Sequence, residues 1–430
     1  QPAALSAHAG GVNTSVDVPE LASGFRQGLR PVRTRGFMVV TANPVASKVG
    51  CSVLQDGGSA LDAAVAVQMV LGLVEPQSSG LGGGAFLLHY NAPSGELRSY
   101  DGRETAPLAA KPEDLKIQST DRQALRAVFN ELRSRGSSVG TPGVMRMLEM
   151  AHRAHGRMPW AALMQPAQAV AEQGFVVSPR LAQAIAQAQS TLQRDPDAAA
   201  YFFNADGSPK TVGQRLRNPD YAQTLKAVAS GGADAFYNGD IAQAIVAKVG
   251  ASQGSQGGAM SLADLANYQA LVREPLCAPY RVYVVCGMGP PSSGALVISQ
   301  ALDMLAHTNL TALRPTPSPE GGVPDARAVH LISEALRLAY ADRNAYVADP
   351  DFVPLPAQGA TSLLNPAYLA QRAQLIDAER SMGTAKPGNW GAATSSATEG
   401  KGTTHVSVAD AQGNVVVLTS SIESSMASFR

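Results

Sequence analysis

Cysteine is scarce in this sequence, which limits the chemistry that thiols can supply. The 430 residues include three cysteines, Cys51, Cys277 and Cys286, too few for a scaffold built on disulfides. The odd number leaves at least one thiol free, and no two of them form a Cys-x-x-Cys pair. We therefore interpret them as core or incidental thiols rather than as catalytic groups.

An excess of one charge and a long apolar run are missing as well. Lysine plus arginine and aspartate plus glutamate both number 34, so the chain lacks the positive charge that attracts nucleic acid. The most apolar run, residues 60–74, is interrupted by Asp62 and Gln68 and stops at Pro76, which makes it too short to span a bilayer. The sequence predicts neither a nucleic-acid partner nor a membrane span.

The composition that remains is typical of a folded protein, with 45% hydrophobic and 16% charged residues. Residues 1–35 are interrupted by glycine, serine and proline, and we interpret them as a loose arm. Ser59 and Asp62 have the spacing of a capping box. They precede a run at 60–74 that is apolar almost all round, which predicts a buried helix.

Periodicity predicts the other elements. Short apolar or alternating runs predict strands at 37–41, 85–90, 96–101, 281–286, 404–409 and 414–419. Apolar residues at helical spacing predict helices at 160–173, 181–193, 221–229, 239–249 and 326–346. A further helix is expected to begin with Thr141 as N-cap and Pro142 at its first position, and to end at Gly156. The expected buried stripe of 326–346 is Val329, Ile332, Leu336 and Ala339.

A polar segment at 383–402, rich in Gly, Ala, Ser and Thr, is expected to be a linker that builds no core. It runs directly into a strand that starts with Thr403 and Thr404. The turn at 410–413 and the returning strand make this region a hairpin. A threonine therefore stands where a mobile linker meets a sheet.

Two suggestive patterns have simpler explanations. The glycine-rich loop at 80–84 precedes a strand, whereas a phosphate-binding loop opens a helix, so tight backbone packing is favoured. Glu149, His152 and His155 have helical spacing, but no partner cluster completes a metal site. We interpret these three as the solvated polar face of an amphipathic helix. No metal or cofactor is predicted.

Two residues could carry chemistry if their surroundings allow it. Arg103 follows a strand and could bind a carboxylate with two hydrogen bonds, although an ion pair with Glu104 or another acid is the more ordinary role. Thr403 needs an adjoining base to become a nucleophile. If the chain were cleaved before Thr403, the new α-amine would titrate at about 7.7–8.0 and could be that base.

Six segments, in order, resemble the γ-glutamyltransferase (γ-glutamyltranspeptidase) family. They are VGCSVLQDGGSALDAAVAVQMVLGLVEPQSSGLGGGAFLLHY (49–90), DGRETAP (101–107), VGTPGVMRMLEMAHRAHGRMPWAALMQPAQAVAEQGF (139–175), MSLADLANYQALVREPL (260–276), YRVYVVCGMGPPSSGALVISQAL (280–302) and GTTHVSVADAQGNVVVLTSSIESS (402–425). The probability that several independent motifs match in the same order by chance is very small.

The resemblance implies an α/β fold, a four-layer αββα sandwich of the Ntn-hydrolase type, made as one precursor of a large and a small subunit. The precursor would cleave itself between Gly402 and Thr403. Thr403 would then pass the γ-glutamyl group of glutathione or a similar donor to water, an amino acid or a peptide. Arg103 matches the arginine that holds the donor α-carboxylate, and Ser421 matches a hydroxyl that supports the nucleophile. The family's members are mostly periplasmic or secreted.

Two departures from the family pattern bear on this expectation. Glu423 stands where many relatives have an asparagine that receives the donor α-amine, and the pattern at 421–424 also resembles cephalosporin-acylase-like members. Only 430 − 402 = 28 residues follow Gly402. We therefore interpret 36–402 as the large-subunit region and 403–430 as the start of a truncated small-subunit region.

Three functional hypotheses follow. The first is γ-glutamyl transfer and hydrolysis through a Thr403 acyl-enzyme. The second is an acylase of the same fold that acts on glutaryl or cephalosporin-type amides. Glu423 distinguishes the first two hypotheses, because a carboxylate that binds an ammonium favours donors with an α-amine and a glutaryl group has none. The third is an uncleaved, non-catalytic scaffold that binds γ-glutamyl ligands, recognisable by its intact mass.

Overall fold

The computed structural model describes residues 32–115, 128, 131–251, 258–317, 322–357, 359–391 and 402–426. Most of the predicted arm and residues 392–401 of the predicted linker lie outside the described residues. The strands are β1 (Met38–Val40), β2 (Gly84–Asn91), β3 (Glu96–Gly102), β4 (Phe175–Val176), β5 (Arg215–Leu216), β6 (Leu271–Arg273), β7 (Leu276–Tyr280), β8 (Tyr283–Gly287), β9 (Thr403–Ala409) and β10 (Val415–Ser421).

The helices lie mainly between β3 and β9 along the chain. They are α1 (Pro44–Gln55), α2 (Ala60–Val74), α3 (Val144–His155), α4 (Trp160–Gln173), α5 (Pro179–Gln187), α6 (Gln189–Leu192), α7 (Pro196–Phe202), α8 (Pro219–Gly231), α9 (Asp234–Tyr237), α10 (Gly239–Gly250), α11 (Leu262–Asn267), α12 (Gly294–Ala306), α13 (Ala326–Tyr346), α14 (Ala360–Leu363) and α15 (Pro366–Ala373). Within the described ranges, no helix combines the length and apolar character needed to cross a bilayer.

One antiparallel sheet of six strands organises the structure, in the order β1-β9-β10-β2-β3-β6. The predicted hairpin β9–β10 lies inside the sheet, between β1 and β2, and its turn is fixed by Asp410. One carboxylate oxygen of Asp410 accepts the backbone N–H groups of Gln412 and Asn414, each at 3.0 Å. The other accepts the N–H of Ala60 at 3.1 Å, so the turn also binds the first residue of α2.

Helix α2 is the centre of the core. The predicted capping box is present, because Ser59 accepts the N–H of Asp62 and the Asp62 carboxylate accepts the N–H of Ser59. Almost every side chain of α2 is buried, and α2 packs across β9 and β10. Each fully buried Leu or Val side chain contributes roughly 1.5–3 kcal/mol, so α2 and the hairpin strongly stabilise each other.

The predicted start of helix α3 is wrong. Its N-cap is Gly143, and Thr141 instead forms a bridge with the backbone of Thr105. The N–H groups of Gly143 and Val144 donate to the carbonyl of Gly83 at 3.0 and 3.2 Å. A distant carbonyl therefore satisfies the helix start in place of the threonine side chain.

The predicted solvated face of α3 is also wrong. Glu149 is 8% exposed and accepts a backbone N–H from the chain before α9. His152 lies 3.4 Å from the buried carboxylate of Asp62, and the His155 ring shares a 2.6 Å hydrogen bond with the hydroxyl of Tyr100. These polar side chains join α3 to its neighbours because each has a buried polar partner.

A second hydrophobic cluster joins α12, α13 and α15. The predicted stripe of α13 is partly wrong, since Val329 and Ile332 are 50% and 39% exposed. Two carboxylates are buried on α13 instead, and they bind the backbone of the following chain. Glu334 accepts the N–H of Met382 at 2.7 Å, and Asp342 accepts that of Gly388 at 2.8 Å. The described part of the predicted linker is thus attached along α13.

Two of the three cysteines form a disulfide, which corrects the interpretation of all three as thiols. Cys277 on β7 and Cys286 on β8 are directly opposite each other in the antiparallel pair and are bonded. Cys51 on α1 is free and partly buried. A spacing of nine residues gave no sign of this bond, because it depends on the register of a hairpin whose first strand the sequence did not indicate.

The stacked histidines His89 and His155 predict a loss of stability in acid. His89 is 4% exposed and its ring stacks on that of His155 at 3.8 Å. Burial, followed by the nearby His155, lowers the pKa of His89 to about 4. Between pH 6.5 and 4 the unfolded chain binds the additional proton, so the stability contributed by His89 is present above pH 6.5 and is lost as the pH falls through 4.

We expect His89→Leu to reduce this acid sensitivity. The shift corresponds to about 3 kcal/mol at most, so unfolding midpoints measured at neutral pH and near the lower limit of this window should converge in the variant. Thermal or urea unfolding of both proteins checks this. An equally large acid shift in His89→Leu would place the sensitivity elsewhere.

Candidate active site

Thr403 and Ser421 face each other at one end of the central hairpin. They are cross-strand partners in the register of β9 and β10, and Thr403 Oγ1 donates to Ser421 Oγ at 3.1 Å. Side chains alternate along a strand, so Thr404 and Ser420 point to the buried face instead. The structure thus brings together two hydroxyls that are 18 residues apart in the sequence.

Ser421 also binds the residue that precedes Thr403. Its Oγ donates to the carbonyl of Gly402 at 3.1 Å and accepts the backbone N–H of Glu423 at 2.9 Å. The N–H of Ile422 approaches the same Gly402 carbonyl at 3.4 Å. Two donors therefore converge on the carbonyl of the Gly402–Thr403 peptide, next to the Thr403 hydroxyl. This arrangement can stabilise negative charge on that oxygen.

The backbone of Gly402 requires glycine. Its φ is +140°, in the range that side chains with a Cβ rarely adopt. A Cβ at this position would lie 2.6 Å from the backbone nitrogen of Ser425. The chain can therefore pass closely over the end of β10 only because residue 402 has no side chain.

Arg103, which follows β3, lies at the same end of the sheet. We call this region, with Thr403, Ser421, Arg103 and Glu423, the corner. Its guanidinium lies 3.2 Å from Glu423 and 3.5 Å from Glu104, so both the ordinary ion pair and a contact with the predicted substrate-binding residue are present. Glu423 has φ +70°, a conformation that is uncommon outside glycine and is often found at functional sites. Together, Arg103 and Glu423 place opposite charges beside the two hydroxyls.

Sequence reasoning missed two polar groups of this corner. Glu104 was considered only as an ion-pair partner, yet burial raises its pKa and the nearby Arg103 partly offsets this. His405 lies on the same face of β9 as Thr403, and its Nδ1 is 2.9 Å from the hydroxyl of Thr419. Burial lowers the pKa of His405. The two-residue spacing from Thr403 was the signal that could have identified it.

The glycine-rich loop at 80–84 packs closely against the end of β10, as the tight-packing interpretation predicted. A Cβ on Gly83 would collide with the carbonyl oxygen of Ser421 and would lie 2.9 Å from Ile422. A Cβ on the adjacent Gly82 would meet nothing within 4 Å. Gly83 therefore fixes how closely β10 approaches this loop. In the part of the chain described, no three His, Cys, Asp or Glu side chains group as metal ligands.

Known sequences resemble this chain over most of its length. A family profile described as gamma-glutamyltranspeptidase matches residues 46–429. The chain is 37% identical over 398 residues to a glutathione hydrolase proenzyme of Bacillus subtilis (strain 168), covering 90% of this chain and 64% of that protein. It is also 37% identical over 412 residues to an acylase ACY 1 proenzyme of Pseudomonas sp. (strain SE83), covering 96% of this chain and 69% of the relative.

Solved structures resemble the fold. Helicobacter pylori gamma-glutamyltranspeptidase superposes with a TM-score of 0.73 at 31% identity, over 84% of this chain and 97% of that one. A cephalosporin acylase from Bacillus halodurans gives 0.72 at 27% identity, over 93% and 69%. The expected Ntn-hydrolase fold class is confirmed. The described residues supply a helical layer and a six-stranded sheet of that fold.

The packing of the loop predicts a difference between two neighbouring glycines. Gly83→Ala should destabilise the protein by about 1–3 kcal/mol, because the added methyl group overpacks the contact with Ser421. Gly82→Ala, the matched control, should leave stability nearly unchanged. Denaturant unfolding of both variants measures the difference, and equal midpoints would contradict the packing described here.

Proposed function

Because the chain belongs to the γ-glutamyltranspeptidase family, we propose that the protein transfers or hydrolyses the γ-glutamyl group of glutathione or a similar γ-glutamyl amide. The observation that carries this proposal is the hydrogen-bonded series from Thr403 through Ser421 to the Gly402 carbonyl. The chain spans 64% of the length of the Bacillus relative, so the activity of a protein as long as that relative is itself part of the proposal.

The proposed maturation is a self-cleavage at Gly402–Thr403. Thr403 Oγ attacks the Gly402 carbonyl carbon, while Ser421 and the N–H of Ile422 stabilise the oxygen as it becomes negative. The peptide C–N bond breaks, and the proton released from the hydroxyl ends on the new α-amine. Water then hydrolyses the Gly402 ester and leaves Thr403 as a free N-terminus. The relatives reported above are named proenzymes, which supports this step.

In the proposed turnover, the free α-amine of Thr403 removes the proton from its own hydroxyl. The hydroxyl oxygen attacks the γ-amide carbonyl of the donor, the amide bond breaks, and the leaving amine takes the proton. A γ-glutamyl ester on Thr403 results. Water or the amine of an amino acid or peptide then accepts the γ-glutamyl group and restores the free hydroxyl.

Arg103 and Glu423 are the proposed binding groups for the donor. The guanidinium would hold the α-carboxylate with two hydrogen bonds, and the carboxylate would hold the α-ammonium. In the structure these two side chains are 46% and 60% exposed and pair with each other at 3.2 Å. A donor that carries both charges would replace that pair with two new ones, so no charge would lose its partner.

The alternative of an acylase is favoured by one observation, the equal identity to the acylase ACY 1 proenzyme. A glutaryl group carries a carboxylate but no ammonium. It would separate Arg103 from Glu423 and leave Glu423 without a partner. We therefore rank this substrate class second.

As the family resemblance implies, we also propose a periplasmic or secreted location.

We expect Thr403→Ala to remain a single chain without activity, because both proposed steps need its hydroxyl. The matched control is Thr404→Val at the next position, whose buried hydroxyl forms no hydrogen bond with any described residue. Intact-mass measurement should show cleavage before residue 403 in the control and the wild type only. Cleavage at the same bond in Thr403→Ala would remove Thr403 as the nucleophile.

The donor class can be tested with two chromogenic anilides. We expect the wild type to hydrolyse γ-glutamyl anilide faster than glutaryl anilide. Glu423→Gln should lower kcat/KM for the γ-glutamyl substrate by roughly tenfold, the effect of losing a charge-assisted hydrogen bond. It should not lower the rate with the glutaryl substrate. Faster hydrolysis of the glutaryl anilide by the wild type would support the acylase alternative instead.

A further inference from the structure

The main chain of Arg103 is bound on both sides by side chains. Its N–H donates to the carboxylate of Asp101 at 2.8 Å, and its carbonyl accepts the hydroxyl of Tyr268 at 2.7 Å. Arg103 lies just beyond the end of β3, where the strand ladder no longer binds the backbone. Two buried side chains, 5% and 6% exposed, replace the ladder at this residue.

Asp101 is itself held in place. Its second carboxylate oxygen accepts Nε of Arg273 on β6 at 2.6 Å, and the same guanidinium binds Asp351 at 2.6 Å. Asp101 is therefore oriented from the edge strand of the sheet and from the chain that follows α13. One side of the Arg103 backbone is fixed through this series of ion pairs.

Tyr268 fixes the other side and follows directly after α11. Its ring stacks on that of Tyr237, with centroids 5.8 Å apart and planes 8° from parallel. Gly143 leaves room for the hydroxyl, because a Cβ there would collide with it. Burial raises the pKa of Tyr268. The hydroxyl therefore stays protonated and donates to the carbonyl of Arg103.

We propose that Tyr268 is a positioning residue, which fixes the backbone of Arg103 so that its guanidinium meets the donor α-carboxylate. This inference rests on the proposed function. The exposed tip of Arg103 pairs with Glu423, the residue that the donor would engage, so during binding only Glu104, at 3.5 Å, still pairs with the guanidinium. The buried hydroxyl and Asp101 bind the backbone whether or not a donor is present.

The structure offers a matched control for Tyr268→Phe. Tyr237 is equally buried, stacks on Tyr268, and donates its hydroxyl to the backbone carbonyl of Pro142 at 2.8 Å. Each Tyr→Phe change removes one buried hydrogen bond to a carbonyl, and the change at 237 also removes the hydrogen bond that its hydroxyl accepts from the N–H of Arg146 at 3.3 Å. Only the change at 268 removes one from Arg103.

We expect Tyr268→Phe to raise KM for γ-glutamyl anilide by roughly twofold to tenfold, the equivalent of one hydrogen bond. The value of kcat and the self-cleavage at residue 403 should stay close to those of the wild type. Tyr237→Phe should change KM little although it should lose at least as much thermal stability. An equal rise in KM in both variants would show a general loss of structure and would overturn the proposal.

A ligand without the α-carboxylate separates positioning from other effects. The inhibition constant of 4-aminobutanoyl anilide, which lacks only that group, should be the same for the wild type and Tyr268→Phe. A matching rise would contradict a role through Arg103. Arg103→Ala is measured in parallel. An unchanged donor KM in Arg103→Ala would overturn the proposed donor site itself, whereas a raised KM there with an unchanged one in Tyr268→Phe would overturn only the present inference.

Discussion

The in-register antiparallel pairing of β9 with β10 sets the position of the candidate catalytic groups. Thr403 lies opposite Ser421 only in this register, and a slip by one residue would turn one of the two hydroxyls toward the core. The register is fixed at the other end of the hairpin, where Asp410 binds the turn and the start of α2. Between these ends, Val406 and Leu418 are fully buried against α2. Burial of apolar side chains therefore determines which hydroxyls face the open side.

The same sheet brings distant segments to one corner. Gly84 on β2 pairs with Ser421, and the adjacent Ala85 pairs with Gly102. The chain that leaves β3 and the chain that leaves β10 thus emerge at the same end of the sheet, on either side of the start of β2. Neighbouring strands are about 4.8 Å apart, so two strand spacings separate these exits. Only a long side chain can bridge that gap, and Arg103 does so.

Patterns that depend on neighbouring residues were read correctly from the sequence. The capping box of Ser59 and the hairpin at 404–419 need only local spacing and alternation, and both are present as predicted. The family resemblance led to the residues that the structure places at the corner, Thr403, Ser421, Arg103 and Glu423. Their roles stay predictions.

Two of the predictions that failed, the start of α3 and the buried stripe of α13, depended on partners far away in the chain. Helix α3 starts two residues after Pro142 because the carbonyl of Gly83, some 60 positions earlier, takes its first N–H groups. Glu334 and Asp342 are buried on α13 because they bind backbone more than 40 residues ahead. A hydropathy pattern ranks such carboxylates as exposed, since it contains no information about a distant N–H group.

The charges of the corner also explain why it can be polar and stable before a donor binds. Glu104 is largely buried and Glu423 is exposed, and Arg103 lies between them. An arginine held by one buried and one exposed carboxylate can exchange the exposed partner at little cost, because water already solvates that side of the pair. The buried partner and the bound backbone keep the guanidinium in place during the exchange. In the proposed site, a ligand carboxylate would therefore need to displace only Glu423, and an adjacent ammonium would give the displaced carboxylate a new partner.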